Sequence, residues 1–92
     1  MNEIVARAKE LQTDVFKGLY LPELEVGEEV TMNDLWDGEG EVPEESYSIK
    51  LTDDGMDGNT NVPVWINYVF DIVEENEDPL QTVIKVTNIE LL

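Results

Sequence analysis

Residues 63–73 constrain the chain more than any other stretch. Val64, Ile66, Tyr68, Phe70 and Ile72 fall at every second position, with Trp65, Asn67, Val69, Asp71 and Val73 between them. A period of two over that length belongs to a β-strand with one face in a core. One face is wholly apolar and the other is mixed, so this strand is expected at the centre of a sheet.

Two further segments supply neighbours for it. Residues 46–52 alternate cleanly, with Tyr47, Ile49 and Leu51 on one side and Ser46, Ser48 and Lys50 on the other. Residues 81–91 read as a strand with a phase fault. Ile84 and Val86 share one parity, and Ile89 and Leu91 share the other. A bulge near Thr87-Asn88 brings all four to the same face. The connection from Glu74 to Leu80, which holds Pro79, is too short for a parallel crossover, so the last two strands form an antiparallel hairpin.

The N-terminal part has a different period. Ile4, Ala8, Leu11 and Val15 lie at helical spacing, which predicts a helix over 3–17. Asn2 suits the N-cap, Glu3 and Lys17 suit the two ends of the dipole, and Gly18 suits the stop. Pro22 keeps residues 19–32 extended, with Leu24 and Val26 marking a short edge strand and residues 26–29 a turn. Residues 33–36 read as one helical turn. These elements predict an α+β fold over a single domain, 1–92. One N-terminal helix packs on an antiparallel sheet of three to five strands, its stripe against Tyr47, Ile49, Leu51 and the apolar faces of the last two strands.

The chain contains neither cysteine nor histidine, so disulfides and thiolate or imidazole chemistry are excluded. Ser46 and Ser48 are the only serines, and both fall inside a strand with no base beside them. Paired carboxylates remain as acid–base groups, but a domain this small offers little room for a cleft. The expectation is a protein that is not an enzyme and uses no cofactor. The first 18 residues mix charges and lack an apolar leader core, and no apolar run is long enough for a bilayer. A soluble, cytoplasmic protein is expected.

Charge is the other dominant feature. Twenty-two acidic residues face five Lys and Arg, for a net −17. Glu23, Glu25, Glu28, Glu29, Asp34, Asp37, Glu39, Glu41, Glu44 and Glu45 fill residues 21–45 without a single base. A surface of this sign disfavours direct contact with nucleic acid or anionic membrane and points to a basic partner surface, to cations or to plain solubility. These ten residues, with Trp36 as an aromatic anchor, are the candidate partner-binding set, although for Trp36 and Trp65 alike packing at the core edge or under the N-terminal helix is the favoured reading. Seventeen charges match about 30 Å of duplex DNA, close to the span expected of a folded chain this long. Trp65, on the mixed face of its strand, offers a seam for a homodimer.

Asp53, Asp57, Asn59 and Asn61 form an alternative candidate site, for calcium, since their oxygens suit a hard cation. Set on an EF-hand loop starting at Asp53, Asp57, Gly58 and Asn61 fall suitably. Gly55 stands where a ligand is needed, Val64 stands where the bidentate Glu belongs, and the flanks read as strands. A polar turn is the favoured reading, and the alternative function is a calcium-binding or purely structural module.

Leu24-Glu25-Val26-Gly27-Glu28-Glu29-Val30-Thr31-Met32-Asn33-Asp34-Leu35-Trp36 resembles a short segment of small uncharacterised bacterial and prophage proteins. Its form is Gly, two residues, an aliphatic, Thr, two residues, then Asp-Leu-aromatic. The match covers about a seventh of the chain and carries over no functional residue. In composition the chain resembles phage inhibitors that mimic DNA, such as anti-restriction and anti-CRISPR proteins. That resemblance implies an inhibitor or accessory protein that docks a basic, nucleic-acid-binding partner.

Overall fold

A computed structural model describes residues 3–36, 38, 40–55 and 61–92. In chain order the elements are α1 (Glu3–Leu11), β1 (Glu29–Thr31), α2 (Met32–Leu35), β2 (Ser46–Thr52), β3 (Val64–Glu74), a 3-10 turn (Pro79–Gln81) and β4 (Val83–Leu91). The four strands make one antiparallel sheet in the order β1-β4-β3-β2. β3 is an inner strand, as its apolar face requires. Val64, Ile66, Tyr68 and Phe70 are buried on that face, joined by Leu51, Ile84, Val86 and Ile89. Ile72 is 41% exposed, so the apolar face of β3 runs past the end of the core.

The bulge in β4 falls at Thr87. Val69 lies opposite Asn88 and Phe70 opposite Val86, which leaves Thr87 as the extra residue. Its hydroxyl donates to the Val69 carbonyl at 3.2 Å. The insertion resets parity, so Ile84, Val86 and Ile89 are all buried and Leu91 is half-buried. Two more bulges occur. Leu51 is extra between Lys50 and Thr52, and Val73 is extra between Ile72 and Glu74.

α1 is shorter than its stripe suggests. It ends at Leu11, and Val15 is 83% exposed rather than packed on the sheet. The chain leaves the helix because the Thr13 amide bonds outward to the Leu51 carbonyl, at 3.4 Å, on the edge of β2. Tight turns follow, with the Phe16 amide on Thr13 O at 2.9 Å and the Leu19 amide on Phe16 O at 3.0 Å. Gly18 therefore lies past the helix rather than at its end. Val5 and Ala8 are the buried contacts of α1, with Ile4 and Leu11 at its margins. The proposed cap, Asn2, lies outside the described residues.

The edge strand lies later than expected. Leu24 and Val26 belong to no strand; Leu21, Pro22 and Leu24 are buried as loop residues, and Val26 is exposed. Gly27, at φ +92°, turns the chain, and β1 begins at Glu29. The Gly27 amide reaches Val86 O at 2.6 Å, and the Val86 amide reaches Glu28 O at 3.0 Å, which draws β1 onto β4. α1, the 19–25 segment and α2 thus cover one face of the sheet, and the other face is open. Among the described residues no helix is long and apolar enough to cross a membrane.

Candidate docking surface

The acids of residues 21–45 divide by what each carboxylate does. Glu23 pairs with Lys9 at 2.6 Å, and the hydrogen bond and charge of Lys9 hold its carboxyl below the ordinary range. Glu28 accepts from the Glu25 amide at 3.1 Å and fixes the turn before β1. Asp34 accepts from the Thr31 amide at 3.3 Å and from its hydroxyl at 3.2 Å, closing the start of α2. Glu25 is exposed beside the same turn. Glu29 stands on the open face of the sheet, across from Lys85, whose other cross-strand neighbour is Asp71. Glu41, Glu44 and Glu45 are exposed. Asp37 and Glu39 lie outside the described residues.

Trp36 is not a surface anchor. It is 5% exposed and belongs to the core cluster, where α2 tucks it against the sheet. Trp65 does stand on the open face, 36% exposed, with the Lys50 ammonium 5.9 Å from its ring centre. The same face carries a polar ladder. Ser48 donates to Asn67 Oδ1 at 2.8 Å, and Asn67 Nδ2 donates to Glu90 at 3.3 Å.

The register of β2 on β3 brings together two acidic runs that are far apart in sequence. Ser46 lies opposite Val69, and the Phe70 amide bonds to Glu45 O at 3.0 Å. Residues 41–45 therefore run beside the end of β3 and the turn that follows it. Between them is a groove of about 260 Å³. Val42, Pro43, Ile72, Pro79 and Met32 give it an apolar floor, and Glu44 and Glu75 face it from the two runs. Glu74 and Glu77 are exposed nearby along the chain. Asp78 is occupied, since it accepts from the Leu80 amide at 3.1 Å and caps the 3-10 turn. Glu75 was missing from the sequence-based set. The signal that locates it is the strand pairing, because a hairpin whose turn follows Glu74 must set that turn beside whatever precedes β2.

Four of the five basic residues are already committed elsewhere. Arg7 pairs with Glu10 at 3.2 Å, Lys17 with Asp14 at 2.7 Å, Lys9 with Glu23, and Lys50 with Asp53. Among the described residues no Lys or Arg forms an ion pair with Glu41, Glu44, Glu45, Glu74, Glu75 or Glu77. Such excess acid raises the local attraction for any cation that approaches.

A second hollow, of about 250 Å³, lies beside α2. Leu19, Tyr20, Asn33, Leu35, Trp36, Tyr47 and Ile49 line it.

Of the calcium candidates, Asp53 is engaged by Lys50, and Asn61 is exposed at φ +54°. Asp57 and Asn59 lie outside the described residues. Among the described residues no three carboxylates gather as metal ligands. None of the described carboxylates is buried. The molecule measures 44 × 25 × 19 Å, longer than the 30 Å span expected from chain length. Seventeen net charges along 44 Å come to one per about 2.6 Å, sparser than the ~1.7 Å of duplex DNA. No protein-family model, curated protein or solved structure matches the chain.

Proposed function

We propose that this chain is a non-catalytic binding protein that docks a basic protein surface with the acidic groove between residues 41–45 and the β3–β4 turn. The observation that carries the reading is the meeting of Glu44 and Glu75 over an apolar floor. An acidic rim draws in a cationic surface, and an apolar floor rewards contact once water is displaced. Proteins that bind nucleic acid present such cationic surfaces, so they are the partner class we favour. A role as an inhibitor or accessory protein of phage or prophage type follows from the resemblance of residues 24–36 and from the acidic composition.

The test is capture of partners from a host lysate on immobilised protein, identified by mass spectrometry. Captured proteins should elute with salt and be displaced by duplex DNA. The Glu44→Lys/Glu75→Lys variant should lose them. Capture that withstands both salt and charge reversal would reject the reading.

A further inference from the structure

The hollow beside α2 differs in kind from the acidic groove, to which the same helix contributes Met32. None of its lining residues is charged. Leu35 and Ile49 offer apolar contact, the exposed Tyr20 and the half-buried Tyr47 offer aromatic rings, and the buried Trp36 adds to the wall. Asn33 places an amide at its rim. It lies in a strongly acidic neighbourhood, since Asp34 follows Asn33 and Glu45 stands two residues before Tyr47.

This combination selects among cations. An aromatic face attracts a cation through its quadrupole. With no carboxylate in the lining, a compact ammonium would lose much of its hydration without a charge to replace it. A guanidinium is planar, more weakly hydrated and stacks on aromatic rings, so it loses less on entry. The apolar walls suit its methylene stem, and an amide carbonyl at the rim can accept from its N–H groups. We infer that this hollow receives one arginine side chain of the basic partner, as the anchor beside the acidic groove. The inference rests on the proposed docking function and adds the identity of the residue that fixes the partner's register.

Two peptides test it, a lysine-glycine-arginine-glycine-lysine sequence and the same sequence with a central lysine. Both carry the same charge. Dissociation constants are measured at low salt by NMR titration, for the unmodified chain, Tyr20→Ala and Tyr20→Phe. Tyr20 is 76% exposed, so its truncation spares the core. The arginine peptide should bind the unmodified chain and Tyr20→Phe about fivefold more tightly than the lysine peptide, the scale of one cation–π contact. In Tyr20→Ala the preference should fall close to one. A preference that survives Tyr20→Ala, or is absent from the start, overturns the arginine site while leaving salt-sensitive docking intact. If neither peptide binds at low salt, the docking function and the arginine site fail together.

Discussion

The Tyr68 hydroxyl donates to the carbonyl oxygen of Pro22 across 2.9 Å of buried space, 46 residues away in sequence. It is how the central strand holds the 19–25 segment, which has no strand ladder of its own. Pro22 has no amide hydrogen to offer, so its carbonyl is what the sheet can grip. Tyr68→Phe leaves that carbonyl buried without its donor. We expect a loss of about 1–3 kcal/mol, read as a lower urea midpoint with an unchanged slope.

The same burial governs alkaline stability. Desolvation, helped by the nearby Tyr20, pushes the Tyr68 phenol above its ordinary value. In the unfolded chain the phenol ionises near its reference value of ~10. Above that pH the unfolded state has released a proton that the native state still holds. Stability is therefore intact below pH ~10 and falls as pH rises toward the folded value. Tyr68→Phe should flatten that decline, and thermal melts between neutral and strongly alkaline pH would reveal it. An equal decline in both proteins would assign the effect to other groups.

Val5 and Val15 provide a matched comparison. Val5 is buried under α1, and Val15 is exposed beyond its end. Val5→Ala should cost about 1.5–3 kcal/mol, and Val15→Ala should stay within about 0.5 kcal/mol. Similar denaturation midpoints for the two variants would mean that the helix continues to Val15.

Deleting Thr87 removes the extra residue of the β4 bulge. Asn88, Ile89, Glu90 and Leu91 would then follow Val86 in regular alternation opposite Val69, Tyr68, Asn67 and Ile66, so Ile89 and Leu91 stay on the core face. We expect the cooperative thermal transition to survive the deletion, and its loss would show that the bulge geometry itself is required. Thr87→Ala, which keeps the residue and removes only its hydroxyl bond to Val69, should cost about 1 kcal/mol.

Net charge yields a bulk expectation. At −17 the folded chain repels itself, and screening relieves that repulsion. The melting temperature should rise from low to moderate salt. A flat or falling profile would show that the exposed ion pairs, such as Lys9–Glu23, matter more than the repulsion.

Strands and bulge were legible because period-two patterning survives in the sequence. Tyr47, Ile49 and Leu51 mark β2, and the parity switch between Val86 and Ile89 locates the bulge. The end of α1 was not legible, because helical spacing continues to Val15 while the contact that ends the helix, Thr13 to Leu51, lies across the fold. The edge strand was placed too early because Leu24 and Val26 alternate with acids as a strand would. Only the register of β4 makes Glu29–Thr31 the residues with a partner. Trp36 admitted two readings, an anchor among its acidic neighbours and packing at the core edge, and its burial, which decides for packing, depends on how α2 sits on the sheet. The acidic residues of 21–45 were countable in the sequence. Their division into turn-holding, ion-paired and unpaired groups was not, nor was the approach of Glu75 to Glu44.

The position of Thr13 against Leu51 also has an electrical consequence. That contact ties the charge-balanced first segment to the end of the sheet where β3 begins. Glu44 and Glu75 lie where β3 ends, on the order of 25 Å further along at the usual strand rise. The unpaired acid of the groove is therefore set apart, along the strands, from the charge-balanced first segment, so a cation approaching that end meets carboxylates with no basic neighbour to offset them.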